Sequence, residues 1–192
     1  MTIRNSILRN LILGAARSGK TNHAILLAQS LSSKLNRGVT YVATAQALDP
    51  EMTKRIQLHR AERPASWTTL EASRDLAQAL RSIDAERIVL IDCLTLWLSN
   101  SLLVDFDESQ PTAELPAWQR ERRLFLEWLA GFQGTVFIVS NEVGAGIVPL
   151  SAVSRRFQDE QGRLNQAVAA ICDAVTLVVA GIAVPIKGGA GG

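Results

Sequence analysis

The segment Gly14, Ala15, Ala16, Arg17, Ser18, Gly19, Lys20 and Thr21 constrains this chain more than any other part of it. It spells G-x-x-x-x-G-K-T. The apolar run Leu11-Ile12-Leu13 leads into it, and a helix candidate over residues 20–35 leaves it. That strand, loop and helix context is the one the motif requires. The two glycines let the backbone turn back, so that successive N–H groups point at one anion. The helix adds its unpaired first-turn N–H groups and the positive end of its dipole. Lys20 supplies a movable charge for outer phosphates, and the Thr21 hydroxyl is placed to ligate a magnesium ion bridging them. The expected ligand is a nucleoside triphosphate with Mg2+. The alternative is a chance glycine-rich turn, and the complete pattern with both flanks argues against it.

Short apolar runs alternate with longer helical stretches along the rest of the chain. Strands are predicted at 9–13, 39–43, 87–91, 135–140, 175–179 and 182–186. Helices are predicted at 20–35, 50–60, 73–82, 94–104, 117–131 and 151–172. Unbroken runs such as Ile88-Val89-Leu90-Ile91 and Val136-Phe137-Ile138-Val139 suit strands covered on both faces. The alternation predicts a mostly parallel, twisted α/β sheet flanked by helices, with ligands at the carboxyl ends of its strands. Residues 174–186 read as two buried strands around a turn at Gly181, too interrupted for the ~20 apolar residues of a membrane span. Residues 105–116 read as an exposed acidic loop. Residues 1–187 form one expected domain, and 188–192 a flexible Gly-rich tail.

Composition narrows the partners. The chain has 20 basic and 18 acidic side chains, a net charge of +2. Nothing in that balance, and no basic run interleaved with aromatics, suggests a nucleic-acid surface. Cys93 and Cys172 fit no metal spacing and sit in apolar stretches, as buried thiols in a reducing, cytoplasmic setting would. Arg4 and Arg9 precede an apolar run too short for a signal peptide.

Three further features carry chemistry. Asp92 ends an apolar strand, where it can hold magnesium beside the phosphate loop or cap the following helix. The chain has two histidines. His23, on the first helix, reads as a packing or surface residue. His59 lies among Arg55, Arg60 and Arg63. Cationic neighbours disfavour the imidazolium and attract phosphates, so a neutral imidazole there is suited to attack phosphorus. A solvated basic helix face with a bystander histidine reads the same pattern. Arg55, His59 and Arg63 would share a face if the helix ran that far, but Pro64 is expected to stop it earlier. Asn141 and Glu142, at a strand end before a Gly-rich loop, are expected near the substrate or metal.

Several segments together resemble one family. They are the phosphate loop, Tyr41-Val42-Ala43-Thr44-Ala45, the stretch from Asp49 through Arg55-Ile56 and His59 to Arg63-Pro64 and Trp67, and Asp92-Cys93-Leu94-Thr95-Leu96-Trp97-Leu98. Asn141-Glu142-Val143-Gly144-Ala145-Gly146-Ile147-Val148-Pro149 and the Arg156 to Gln166 stretch continue the match. The chain resembles the bifunctional adenosylcobinamide kinase / adenosylcobinamide-phosphate guanylyltransferases of cobalamin biosynthesis. The resemblance implies a P-loop NTPase fold of RecA-like type. It implies phosphorylation of adenosylcobinamide by ATP or GTP, then transfer of GMP from GTP through a GMP–histidine intermediate. The nucleophile would be His59, with Lys20 serving both steps. Nucleotide contacts would fall on Gly14, Ala15, Ala16, Arg17, Ser18, Gly19, Lys20 and Thr21. Others would fall on Ala43, Thr44 and Ala45, on Arg60, Ala61, Glu62 and Arg63, and on Glu71 and Asp92. Thr21 and Asp92 would hold Mg2+. Some relatives carry two adjacent histidines where this chain has Leu58-His59, and some carry Glu in place of Asp92.

The resemblance also implies a homotrimer, and the apolar surface on the 94–104 and 151–172 helices suggests self-association independently. Trp67, Trp97, Trp118 and Trp128 read as core or interface residues. Two other functions remain open on the residues alone: a small-molecule kinase with no covalent histidine chemistry, and a nucleotide-gated binding switch.

Overall fold

A computed structural model of the chain describes residues 8–61 and 63–188. The side chains of Arg55, His59 and Asp105 fall outside that description, as do Glu62 and residues 189–192 of the tail expected over 188–192. The strands are β1 (Leu8–Gly14), β2 (Val39–Ala43), β3 (Thr68–Glu71), β4 (Ile88–Asp92), β5 (Thr135–Asn141), β6 (Ala174–Val179) and β7 (Ile182–Lys187). The helices are α1 (Lys20–Leu35), α2 (Pro50–Ala61), α3 (Leu76–Leu80), α4 (Leu94–Asp105), α5 (Pro116–Gly131) and α6 (Ala152–Ile171).

The seven strands form one sheet in the order β3-β2-β4-β5-β1-β6-β7. All neighbours run parallel except β6 and β7, which pair antiparallel. Strand β5 lies between the phosphate-loop strand β1 and the Asp92 strand β4. The carboxyl ends of all three therefore open onto one edge of the sheet. This is the expected α/β arrangement of a P-loop NTPase.

The continuous apolar strands follow from burial on both faces. Along β1, Leu11 and Leu13 enter one core and Ile12 enters the other, the period-two alternation of a strand. The first core packs Trp97, Leu98, Trp118 and Phe125 of α4 and α5 with Leu164 of α6. The second packs Ala24, Ile25 and Ala28 of α1 against Tyr41, Ile88 and Leu90. Both cysteines are buried free thiols. Among the described residues, no helix is long and apolar enough to cross a membrane.

Two charged side chains, half-buried Arg9 and buried Glu160, lock elements around the cores. The Arg9 guanidinium donates to the carbonyls of Leu129, Ala130 and Phe132, closing the end of α5 onto β1. Glu160, buried on α6, accepts from Trp118 Nε1 at 2.9 Å and pairs with Arg122, Arg156 and Arg163.

Three expectations need correction. Strand β3, the edge strand beyond β2, has no predicted counterpart. The helix expected over 73–82 is a single turn and a half, Leu76–Leu80, held by turns on either side. The strand after Gly181 is not buried. It is the opposite edge of the sheet, with Ile182 67% exposed and Pro185 in a position an edge strand tolerates.

Candidate nucleotide site

The phosphate loop owes its shape to two left-handed residues, Arg17 (φ 60°) and Gly19 (φ 92°). They turn the chain between β1 and α1 so that its amides face inward. Gly19 is the N-cap of α1 and offers no side chain, and the first turn of α1 holds no acidic residue. The helix dipole is thus left unneutralised for an anion. Lys20 is 8% exposed, and its Nζ donates to Ala15 O at 3.0 Å across the loop. Ser18 Oγ is shielded without a hydrogen-bond partner among the described residues. The turn between β6 and β7 supports the loop from behind, where Gly181 N donates to Ser18 O at 2.9 Å.

Gly14 is required for a different reason. A Cβ there would lie 2.4 Å from Ser18 Oγ and 2.6 Å from the Val178 carbonyl oxygen. The backbone carbonyl cannot swing aside as a side chain can. Gly14→Ala is therefore expected to displace the loop and weaken nucleotide binding by at least about tenfold, an effect of roughly 1.4 kcal/mol. Titration with a fluorescent GTP analogue checks this. Wild-type affinity in a folded Gly14→Ala protein would contradict it.

Asp92 meets the loop from β4. Its Oδ1 accepts from Thr21 Oγ1 at 3.5 Å, and its Oδ2 accepts from the Tyr41 hydroxyl. The cap role considered for Asp92 is not taken: the N-cap of α4 is Cys93, and no side chain caps that helix. Burial, then the Asp92 carboxylate, push the Tyr41 phenol above its ordinary value, so it is a donor at neutral pH. Burial, then Asp92, likewise push the Cys93 thiol up to about 12, which leaves it unreactive.

Thr44 braces this corner. Its hydroxyl donates to Cys93 O at 2.7 Å and accepts from Cys93 N at 2.8 Å. Asn100 Nδ2 donates to the Thr44 carbonyl at 2.8 Å. The Thr44 side chain is committed to this brace. A nucleotide reaching residues 43–45 would meet backbone groups and the small side chains of Ala43 and Ala45 rather than the Thr44 hydroxyl. Glu71 pairs in register with Ala43 at the end of β3. It lines an open polar cavity of about 340 Å³ with Ser73, Arg74, Asp75 and Gln78. Loop 142–149 also reaches the site: Glu142 N donates to Gly14 O at 3.2 Å, and Thr95 Oγ1 accepts from Asn141 N at 2.8 Å.

The histidine helix α2 is lightly attached. No described side chain on it is buried. At its start, Asp49 Oδ1 accepts from Met52 N at 2.8 Å. Arg60 and Ala61 are exposed at its end. Arg63 does not share a helical face with Arg55 and His59, because α2 ends at Ala61. The Arg63 guanidinium instead lies 3.4 Å over the Tyr41 ring. Its Nε is shielded without a hydrogen-bond partner among the described residues. His23 is half-buried on α1, and desolvation lowers its pKa, in keeping with a packing role. Tyr41 was not anticipated. The available signal was that it is the chain's single tyrosine, set in an otherwise apolar strand.

Comparison with known proteins supplies a family for this arrangement. The profile described as cobinamide kinase / cobinamide phosphate guanyltransferase matches residues 10–186, from β1 through β7. The chain belongs to this family. It is 48% identical to the bifunctional adenosylcobalamin biosynthesis protein CobP of Pseudomonas aeruginosa, over 94% of this chain and 98% of that one. It is 40% identical to the bifunctional adenosylcobalamin biosynthesis protein CobU of Escherichia coli, over 92% and 98%. The CobU protein of Salmonella typhimurium is 38% identical over the same shares. The family match spans the phosphate loop, Asp92, α2 and loop 142–149 together, so the kinase / guanyltransferase family covers every element of the site.

Proposed function

We propose that this chain phosphorylates adenosylcobinamide with ATP or GTP and then transfers GMP from GTP onto adenosylcobinamide phosphate, giving adenosylcobinamide-GDP. The observation that carries the reading is the meeting of Lys20, Thr21 and Asp92 at one loop, with Thr21 Oγ1 and Asp92 Oδ1 3.5 Å apart. Two hard oxygens suit Mg2+, which keeps most of its waters and takes few protein ligands. A magnesium ion there would neutralise charge on the outer phosphates. In the first step the loop amides and Lys20 hold the γ-phosphate for in-line attack by the substrate hydroxyl.

In the second step a neutral imidazole nitrogen of His59 forms a bond to the α-phosphorus of GTP. The bond from that phosphorus to the α,β-bridging oxygen breaks, and pyrophosphate leaves. A phosphate oxygen of the corrinoid then attacks the same phosphorus, and the N–P bond breaks to free the histidine. Lys20 and the loop amides stabilise the departing pyrophosphate. The light attachment of α2 supports a helix that closes on the nucleotide and brings His59 to phosphorus. Ser18 Oγ and Arg63 Nε, shielded and without protein partners among the described residues, are donors that bound phosphates would satisfy. A cytoplasmic location is in keeping with two buried free thiols. A homotrimer would give the exposed Leu103, Val104, Ile147, Val148 and Leu150 a partner surface.

Incubation with α-labelled GTP tests the reading. Label is expected on denatured protein, and adenosylcobinamide phosphate is expected to discharge it into product. γ-Labelled GTP should leave no such mark. Product formed without protein labelling would reduce the chain to a kinase with direct transfer. No nucleotide consumption above background with adenosylcobinamide would favour the binding switch.

A further inference from the structure

We propose that Tyr41 is a positioning residue joining two parts of the site: its hydroxyl holds the Asp92 carboxylate toward Thr21, and its ring carries Arg63, the first described residue after the histidine helix. The proposal rests on the reading of Thr21 and Asp92 as the magnesium corner.

Four observations place Tyr41 in this role. It is 1% exposed in β2, among Ile12, Ile25, Ile88 and Leu90, where a phenylalanine would fill the same space. Its hydroxyl is the one polar group it brings into that core, and Asp92 Oδ2 receives it. That bond occupies the far oxygen of the carboxylate and leaves Oδ1 facing Thr21 at 3.5 Å. The face of the same ring carries the Arg63 guanidinium, 3.4 Å from the ring centroid. Partners of this kind orient a ligating carboxylate, and their loss typically weakens metal binding by 10- to 100-fold.

The second half of the role concerns α2. No described side chain of that helix is buried, so its few anchors set where it lies. Arg63 on Tyr41 is an anchor immediately past the end at Ala61. The tyrosine thus fastens the segment bearing His59 to the strand whose neighbour, β4, presents Asp92. A guanidinium held by a ring face keeps its N–H edges available to phosphate, which a carboxylate partner would occupy.

Tyr41→Phe and Tyr41→Leu separate the two halves. Tyr41→Phe keeps the ring and removes the hydroxyl. Its magnesium concentration for half-maximal GTP binding, read by calorimetry, should rise about tenfold. Guanylate labelling should return to the wild-type rate once magnesium is saturating. Tyr41→Leu should show the same magnesium shift and label slowly even at saturating magnesium. Adding it to Arg63→Leu should slow labelling no further, because the ring acts through Arg63. Asp92→Asn is the control, and it should shift the magnesium requirement at least as far as Tyr41→Phe.

A wild-type magnesium requirement in Tyr41→Phe, with Asp92→Asn shifted, overturns the proposal and leaves the metal corner standing. An unshifted Asp92→Asn overturns the metal corner and this proposal together. Additive slowing in the Tyr41→Leu, Arg63→Leu pair overturns the anchoring half. Should Tyr41→Leu fail to fold, as a thermal melt would reveal, the Tyr41→Phe titration decides alone, since that variant preserves the packing.

Discussion

Lys20→Ala is expected to lower both phosphoryl and guanylyl transfer by about 10³-fold, roughly 4 kcal/mol of lost transition-state stabilisation. Both steps move charge onto an oxygen of the polyphosphate tail. In the kinase step it is the β,γ-bridging oxygen, and in the guanylyl step the α,β-bridging one. The loop amides are fixed dipoles aimed at one place, whereas Lys20 is a full charge on a flexible stem. It is 8% exposed and rests on Ala15 O at 3.0 Å, so it is already folded over the cradle. A shielded charge acts more strongly there than in water. Single-turnover rates of the two steps, each at saturating nucleotide, measure the loss. Lys20→Arg should recover little, because a planar guanidinium cannot pack in the place of a compact ammonium. Retention of more than a tenth of either rate in Lys20→Ala would show that the amides alone carry that step.

What was legible in the chain follows from how local each cause is. The phosphate loop is legible because its demands are backbone demands: Gly14 has no room for a Cβ, and Gly19 sits at φ 92°. Both requirements are written as glycine at fixed spacing. Strands β4 and β5 are legible because burial on both faces leaves an unbroken apolar run. Strand β3 is not, because Thr68–Glu71 is four residues long and exposed to half-buried at a sheet edge. No pattern distinguishes such a strand from a loop before its partner β2 is known. The exposure of β7 was missed for the converse reason. Its residues are as apolar as those of a buried strand, and only the sheet order reveals that no strand among the described residues lies beyond it.

The site divides along the same line. Asp92 could be placed at a strand end from sequence, but its side-chain partners could not. Those partners, Thr21 and Tyr41, lie 71 and 51 residues away. Helical spacing would group Arg63 with His59 only if the helix ran that far, and Pro64 is expected to stop it earlier. The helix stops at Ala61, so spacing beyond that point has no meaning, and the guanidinium turns to β2 instead. Thr44 was expected at the nucleotide through the family resemblance, yet its hydroxyl is spent on both backbone groups of Cys93. Long-range pairings of this kind leave no periodic trace.

His59→Ala is expected to abolish guanylate labelling and guanylyl transfer while leaving the kinase step within about threefold of wild type. Removing a covalent nucleophile eliminates a path, whereas removing a binding contact only raises a barrier. As proposed, the kinase step needs Lys20, the loop and the substrate hydroxyl, and no part of it uses an imidazole. Position on the fold supports the separation, because His59 is on α2 whereas the phosphate loop and Asp92 belong to β1, α1 and β4. A variant of α2 therefore leaves the elements that hold the γ-phosphate unaltered. The linkage itself gives an independent check. A phosphoramidate on histidine is released by mild acid but survives alkali, which hydrolyses an acyl phosphate on a carboxylate. Label that persists in His59→Ala would place the nucleophile elsewhere. A matching loss of kinase activity would make His59 a nucleotide-binding residue, and the two transfers would then share one mechanism.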